Sequence, residues 1–149
     1  MRKRSSQNGA VVVEMAIMLP LLVLFIVGTV DYGLILREFE LLQNGAREGA
    51  RRSVLPQYQI ATGATTAAQT ARLNAIKQSV VDYLADENIT INASDVTVNQ
   101  TASIDMGGGI HASASEITVN YTRSILIGSG WNGLGSVPLK GHVIWRNLY

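Results

Sequence analysis

Glu14 is the residue whose surroundings in this sequence are most unusual. It stands five positions after Gly9 and at the edge of an apolar run in which residues 15–30 carry no charge. An ionised carboxylate inside hydrocarbon costs about 3 kcal/mol or more, and such residues usually have a partner. Two interpretations are open. Glu14 lies at headgroup level and reaches water, or it meets a positive charge supplied by another chain.

The other residues that often carry chemistry do not form a recognisable site. His111 and His142 stand 31 residues apart in a chain without cysteine, whereas zinc sites need closely spaced ligands. The sequence contains no nucleotide-binding glycine loop and no nucleophile elbow. It therefore predicts no catalytic residue, no metal ligand and no cofactor. Three carboxylates are expected on a solvated surface at the end of a helix: Asp82, Asp86 and Glu87.

Composition narrows the class of protein. The 149 residues carry a formal net charge of +1, so the molecule as a whole has no nucleic-acid-binding character. The length suits one membrane element and one domain of about 100 residues. The absence of cysteine fits any compartment and does not locate the protein. Basic residues are clustered at the start, where Arg2, Lys3 and Arg4 precede the apolar run.

The apolar run from Ala10 to Leu36 predicts a membrane-spanning helix. About 20 apolar residues cross about 30 Å of hydrocarbon, and this run supplies that length with room for tilt. The basic residues before it favour a cytoplasmic N-terminus. Pro20 predicts a bend. Asp31 and Tyr32 are expected at the far interface, where a charge and an aromatic ring both reach water.

A cleaved signal peptide and a buried helix of a soluble domain are the alternatives. A signal peptide has an apolar core of about 7–15 residues followed by a small-residue cleavage site. This run is longer, and it continues into a helical pattern without an Ala-x-Ala site. A helix of a soluble domain would present a polar face, which residues 15–30 lack. Both comparisons favour the membrane helix.

Four segments within about the first 52 residues match a known family. Gly9-Ala-Val-Val-Val-Glu14 is similar to the type IV prepilin processing site, in which a membrane peptidase cuts after the glycine. Met15 departs from the aromatic residue that related prepilins usually carry there. The other segments are Leu19-Pro-Leu-Leu, Asp31-Tyr-Gly33 and Leu42-Gln-Asn-Gly-Ala-Arg-Glu-Gly-Ala-Arg51. Together they resemble the TadE-like family of pseudopilins from tight-adherence pilus systems.

The resemblance implies a site, a location and a set of partners. A prepilin peptidase would cleave between Gly9 and Ala10, and Glu14 would pair with the N-terminal amine of a neighbouring subunit. Opposite charges at close range in low dielectric can offset their desolvation, where one alone cannot. The implied location is the bacterial inner membrane and the pilus, with the N-terminus cytoplasmic and the C-terminal domain periplasmic or extracellular. The implied partners are the lipid bilayer, other pilin or pseudopilin subunits, the prepilin peptidase and the inner-membrane pilus assembly platform.

Beyond the membrane run, the helix is predicted to continue as a stalk. Pro56 ends it at Leu55 or just before, and Glu48 and Arg52 are spaced to pair. Small residues recur on one face of this stalk, and the sequence leaves two interpretations open. The face contacts a neighbouring helix, or it packs tightly on the chain's own domain. This small-residue face consists of Gly45, Ala46, Gly49 and Ala50.

The remainder predicts one further helix and a sheet of three to five strands. Thr66 and Gln69 are predicted to form a capping box at the start of that helix. From Asn88 onward, alternating residues predict strands, with a hairpin turn at residues 107–109 and a last strand over residues 137–149. The apolar stripe of the helix comprises Leu73, Ile76, Val80, Tyr83 and Leu84.

The predicted fold class is α+β. A long N-terminal transmembrane helix continues into a stalk helix, followed by a small extracytoplasmic domain with one helix packed on an antiparallel sheet. A flexible glycine-rich connection is expected over residues 128–135, with Trp131 as a plug on the domain. We expect a non-catalytic minor pseudopilin or assembly component; the alternative is an uncleaved, membrane-anchored binding domain. The expected divisions are a basic leader (1–9), a transmembrane helix (10–36), a stalk helix (37–55) and an extracytoplasmic domain (56–149).

Overall fold

The residues that the structure describes form two helices, one short 3-10 turn and three strands. The computed structural model describes residues 5–59, 65–126 and 135–147, with side chains from residue 9 onward. The long apolar helix, the second helix and the three-stranded antiparallel sheet confirm the predicted α+β class. In chain order the elements are α1 (Ser5–Ser53), α2 (Thr66–Asp86), the 3-10 turn (Ala93–Asp95), β1 (Val96–Asp105), β2 (His111–Ser124) and β3 (Ser136–Arg146).

Helix α1 is a single element of 49 residues that includes the whole apolar run. It starts inside the basic leader rather than at Ala10, and it ends at Ser53. The hydroxyl of Ser53 donates to the carbonyl of Ala50 at 2.8 Å. Pro56 stands just after this end, and a proline disfavours helical geometry in the residue before it. The predicted stalk is thus a continuation of the same helix.

The chain divides into two compact units, which are described separately. The first comprises Met1–Ile35 and Ser124–Val137, and the second comprises Leu36–Arg123 and Pro138–Tyr149. Trp131, which was expected to pack as a plug, lies outside the described residues, as do the last two residues of the predicted final strand.

The second unit is built around a core to which both helices and the sheet contribute. The C-terminal part of α1 and helix α2 bury their apolar faces against one face of the sheet. Burial of apolar surface in such a cluster contributes about 25 cal/mol per Å². The fully buried members are Leu42, Ala46 and Ala50 of α1, Ile76, Val80 and Leu84 of α2, and Val96, Ile117 and Val119 of the sheet.

The small-residue face of α1 lies inside this core. A Cβ atom added to Gly49 would stand 2.6 Å from Val80 Cγ2, and one added to Gly45 would stand 3.2 Å from the Leu84 side chain. Ala46 and Ala50 are fully buried. Of the two interpretations left open by the sequence, the structure therefore has this face packed on the chain's own second unit.

The N-cap of helix α2 lies one residue before the predicted one. Thr65 is the N-cap, with extended backbone angles, and its hydroxyl accepts a hydrogen bond from Ala68 N at 3.3 Å. The prediction of Thr66 as the cap is therefore wrong by one position, because Thr66 already has helical geometry and an N-cap residue does not. At the other end Asn88 takes a left-handed φ of 63°, and Ile89 N donates to Leu84 O at 2.8 Å, which closes the helix.

The predicted glycine hairpin is confirmed. Strands β1 and β2 pair antiparallel from Val96↔Val119 to Asp105↔His111, with a register shift between Asn99 and Ala102. All three glycines of residues 107–109 have positive φ angles, between 64° and 87°, which side chains with a Cβ rarely adopt. Strand β3 completes the sheet in the order β1-β2-β3. Its Leu139 and Val143 pack against the core, whereas Trp145 is exposed.

Candidate membrane helix and assembly site

The N-terminal part of α1 presents an apolar surface that nothing in the first unit covers among its described residues. One helix of the described chain is long and apolar enough to cross a membrane, over Gly9–Ser53, and none of its most apolar window is buried. Every large apolar side chain from Val11 to Ile26 is at least half exposed. Such a surface is unfavourable in water. It is suited to lipid or to the helices of other membrane proteins.

The three predicted site residues all lie on this helix. Gly9, Ala10 and Glu14 are exposed, and the Gly9–Ala10 peptide bond is part of the helix. Ala10 and Glu14 are four residues apart and therefore share one helix face. Among the described residues Glu14 has no hydrogen-bond or ion-pair partner, and a Cβ added to Gly9 would meet no atom within 4 Å.

Asp31 is not the water-facing charge that the sequence predicted. It is only 6 % exposed, and its Oδ2 accepts a hydrogen bond from Leu126 N at 2.8 Å. Both residues belong to the first unit. A backbone N–H is a strong donor to a carboxylate, so the returning chain after β2, rather than water, solvates this charge. Tyr32 beside it is exposed, as predicted.

In the second unit, Glu38 and Arg123 form an ion pair with little access to water. Arg123 Nη1 contacts Glu38 Oε1, with side-chain exposures of 12 % and 16 % respectively. The other oxygen, Glu38 Oε2, is buried and has no hydrogen-bond partner among the residues that the structure describes. Burial raises the pKa of nearby Tyr121, and the negative charge of Glu38 adds to the rise. The pair links the start of the stalk to the end of β2.

The outer face of the sheet carries a polar cluster that spans all three strands. His142 Nε2 lies 2.8 Å from Glu116 Oε1, and Asn99 Nδ2 donates to Glu116 Oε2 at 3.4 Å. The hydrogen bond to His142 lowers the pKa of Glu116. His142 thus has a carboxylate partner, whereas His111 is exposed near the hairpin turn.

A polar cleft of about 540 Å³ opens beside the register shift of β1. Its lining includes the amides of Gln59 and Gln100, the imidazole of His111 and several hydroxyl groups, but no carboxylate. Gln100 Nε2 donates to the carbonyls of Ser53 and Tyr58 at 3.1 and 3.0 Å. The lining therefore offers amide and hydroxyl hydrogen-bonding groups together with one imidazole.

The described residues contain no group of three or more His, Cys, Asp or Glu side chains that could hold a metal ion.

Two contacts that organise the molecule were not predicted from the sequence. The partners Asp31 and Leu126 stand 95 residues apart, and Glu38 and Arg123 stand 85 apart. A charge at the edge of an apolar run was the only local signal for either.

Comparison with known proteins identifies the N-terminal segment. The family model described as TadE-like protein matches residues 9–51. The resemblance that the sequence segments suggested is thereby confirmed for this part of the chain. No curated protein and no solved structure matches the chain.

Proposed function

We propose that this chain, a TadE-like protein over residues 9–51, is a non-catalytic minor pseudopilin or assembly component of a Tad-type pilus or secretion apparatus. The family consists of Tad pilus components. One observation carries the proposal: within the matched residues, the part of the helix from Val11 to Ile26 exposes its large apolar side chains and contains a single carboxylate, Glu14. A subunit that is stored in a membrane and then joined to others needs a surface that accepts lipid first and protein later.

In the proposed mechanism the apolar part of α1 holds the subunit in the bacterial inner membrane as a single-pass protein. The basic residues before it keep the N-terminus cytoplasmic. Removal of residues 1–9 by a prepilin peptidase creates a new positive amine on Ala10. This amine pairs with Glu14 of a neighbouring subunit as the helices join laterally at the assembly platform. Pairing is favourable because each charge is poorly solvated alone in low dielectric.

The length of the second unit favours a minor component over a bulk subunit. The described residues of this unit build a packed α+β core, which is more than a small filament subunit requires by family resemblance. This unit would then specify contacts at one position of the apparatus.

Replacing Glu14 with Ala tests the assembly role. We expect E14A to insert in the membrane normally and to abolish piliation, because the neighbour's amine loses its counter-charge. Glu40 is an exposed carboxylate on the same helix, so E40A is the matched control and should leave pili unchanged. Normal piliation by E14A, with insertion intact, would contradict the proposed role of Glu14.

The second candidate function is an uncleaved, membrane-anchored binding domain. The polar cleft beside Gln100 favours it, because the cleft offers neutral hydrogen-bonding groups in a volume of about 540 Å³, within the usual range for small ligands. Under this alternative E14A and E40A behave alike, the N-terminus remains Met1, and the protein does not co-fractionate with purified pili.

A further inference from the structure

We propose that the segment after β2 is a second membrane contact, in which Ile125 and Leu126 lie in the lipid interface beside the outer end of the membrane helix. The juxtaposition of Asp31, Tyr32 and Leu126 within the first unit carries the inference. It rests on the part of the proposed function that has α1 spanning a bilayer. It does not depend on pilus assembly.

The hydrogen bond between Asp31 and Leu126 fixes the depth of this segment. Asp31 follows Val11 by 20 residues, and a helix of that length spans about 30 Å at 1.5 Å per residue. This equals the thickness of the hydrocarbon core of a bilayer, which is also about 30 Å. Asp31 therefore marks the outer boundary of the hydrocarbon when Val11 marks the inner one. Because Leu126 N donates to Asp31 Oδ2 at 2.8 Å, Leu126 lies at the same boundary.

The exposed groups at this boundary are of the type that lipid interfaces favour. Leu126 is 64 % exposed and Tyr32 is 63 % exposed. Tyrosine is enriched at the interface because its ring is apolar and its hydroxyl is wet. An exposed leucine gains free energy from contact with acyl chains at about 25 cal/mol per Å² of buried surface.

Two backbone N–H groups of the segment have hydrogen-bond acceptors within the first unit, as a surrounding of low polarity requires. Unsatisfied backbone groups are strongly unfavourable in lipid. Ile125 N donates to Gly135 O at 3.1 Å, and Leu126 N donates to Asp31. Ser124, Ile125 and Leu126 carry no charge. A bilayer surface is the partner that accepts such uncharged residues at this depth.

The cysteine-free sequence allows a direct test with single-cysteine variants of the full chain. L126C is labelled with an environment-sensitive fluorophore and reconstituted in phosphatidylcholine–phosphatidylglycerol nanodiscs. F25C, in the exposed apolar run, serves as the lipid-facing reference, and M106C, at the exposed hairpin turn, serves as the water-facing reference. Quenching by a lipid-borne nitroxide is compared with quenching by aqueous iodide.

We expect L126C to show blue-shifted emission, with stronger quenching by a nitroxide near the headgroups than by iodide. F25C should be quenched most by a nitroxide deep in the acyl region, and M106C by iodide alone. A label on L126C that behaves like M106C overturns the proposal. So does a blue-shifted label that neither quencher reaches, because protein rather than lipid would then cover the residue.

A second variant tests the role of Asp31. In L126C/D31A the hydrogen bond to the backbone is lost, so the label should become more accessible to iodide than in L126C. Unchanged accessibility would contradict the assignment of Asp31 as the residue that sets the depth. If E14A assembles pili normally while L126C is quenched from the lipid, the assembly role fails and this inference stands.

Discussion

At the residue scale, three carboxylates of similar chemistry have different environments. Asp31 is buried and accepts a backbone N–H, Glu38 is largely shielded from water beside a guanidinium, and Glu116 is half-exposed beside an imidazole. A buried charge needs its partner because water cannot replace it. An exposed charge loses little when its partner is removed. These two rules give opposite expectations for substitutions of Glu38 and Glu116.

Replacing Glu38 with Gln should destabilise the second unit by up to about 3–5 kcal/mol, because Arg123, whose side chain is 12 % exposed, loses the carboxylate of Glu38. Equilibrium urea unfolding in detergent micelles measures the loss. The matched control is Arg51→Met, which removes a helical ion pair with Glu48 whose arginine is 71 % exposed. That change should cost about 0–1 kcal/mol. Equal losses in the two variants would show that Glu38 and Arg123 do not depend on each other.

Glu116 should make stability depend on pH in the acid range. The hydrogen bond to His142 lowers the pKa of Glu116 below its usual 4.5 in the folded chain. The contribution is therefore complete above pH 4.5 and is lost as the pH falls through the lower, folded-state value. For an exposed cross-strand pair it amounts to about 1 kcal/mol or less.

The measurement compares the free energy of unfolding of the natural chain and of Glu116→Gln between pH 7 and pH 3. The two should differ near neutrality and converge below pH 4.5. A difference that stays constant over the whole range would mean that the ionisation of Glu116 plays no part.

At the scale of elements, close packing between α1 and the sheet depends on glycine. A Cβ atom at Gly141 of β3 would overlap the carbonyl oxygen of Leu42 in α1. Backbone cannot move aside as a flexible side chain can, so helix and strand must separate. Gly33, in contrast, has no atom within 4 Å of an added Cβ.

Replacing Gly141 with Ala should destabilise the second unit by about 1–3 kcal/mol through overpacking. Gly33→Ala, the matched control, should leave the unfolding of that unit unchanged. Urea titration followed by circular dichroism distinguishes them. If G141A unfolds at the same urea concentration as G33A, the helix and β3 are not in the close contact described.

The sequence was sufficient for elements whose signal is local. The apolar run, the stripe of α2 and the alternation in β2 each repeat with the period of their element, and the glycine turn has its own chemistry. The sequence did not decide whether Gly45 and Gly49 pack against the chain's own α2, because small residues suit contact with a neighbouring helix equally well. The partners of Asp31 and Glu38 were missed because nothing near Leu126 or Arg123 in the sequence signals a contact over 85 residues or more.

At the scale of the whole molecule, removal of the proposed leader would change where the mature chain begins. Co-expression with the cognate prepilin peptidase should yield a chain beginning at Ala10. Gly9→Leu should block this cleavage. Because neither Gly9 nor Gly33 has an atom within 4 Å of an added Cβ, Gly33→Leu is a matched control that should still be processed.

Intact-mass measurement and N-terminal sequencing of the purified chains decide the outcome. A natural chain that still begins at Met1 after exposure to the active peptidase contradicts cleavage. Processing of G9L as efficient as that of G33L contradicts the assignment of Gly9 as the recognition residue.

The contact between α1 and β3 also affects the order in which the second unit folds. His142 N donates to Gln43 Oε1 across 99 residues of sequence, and Gly141 lies against Leu42. Contacts that close such long loops form late and slowly. In a nascent chain α1 and α2 are therefore synthesised well before the strand that completes their core. During that interval the unfinished core exposes apolar surface that favours aggregation, so the second unit is vulnerable until β3 is in place.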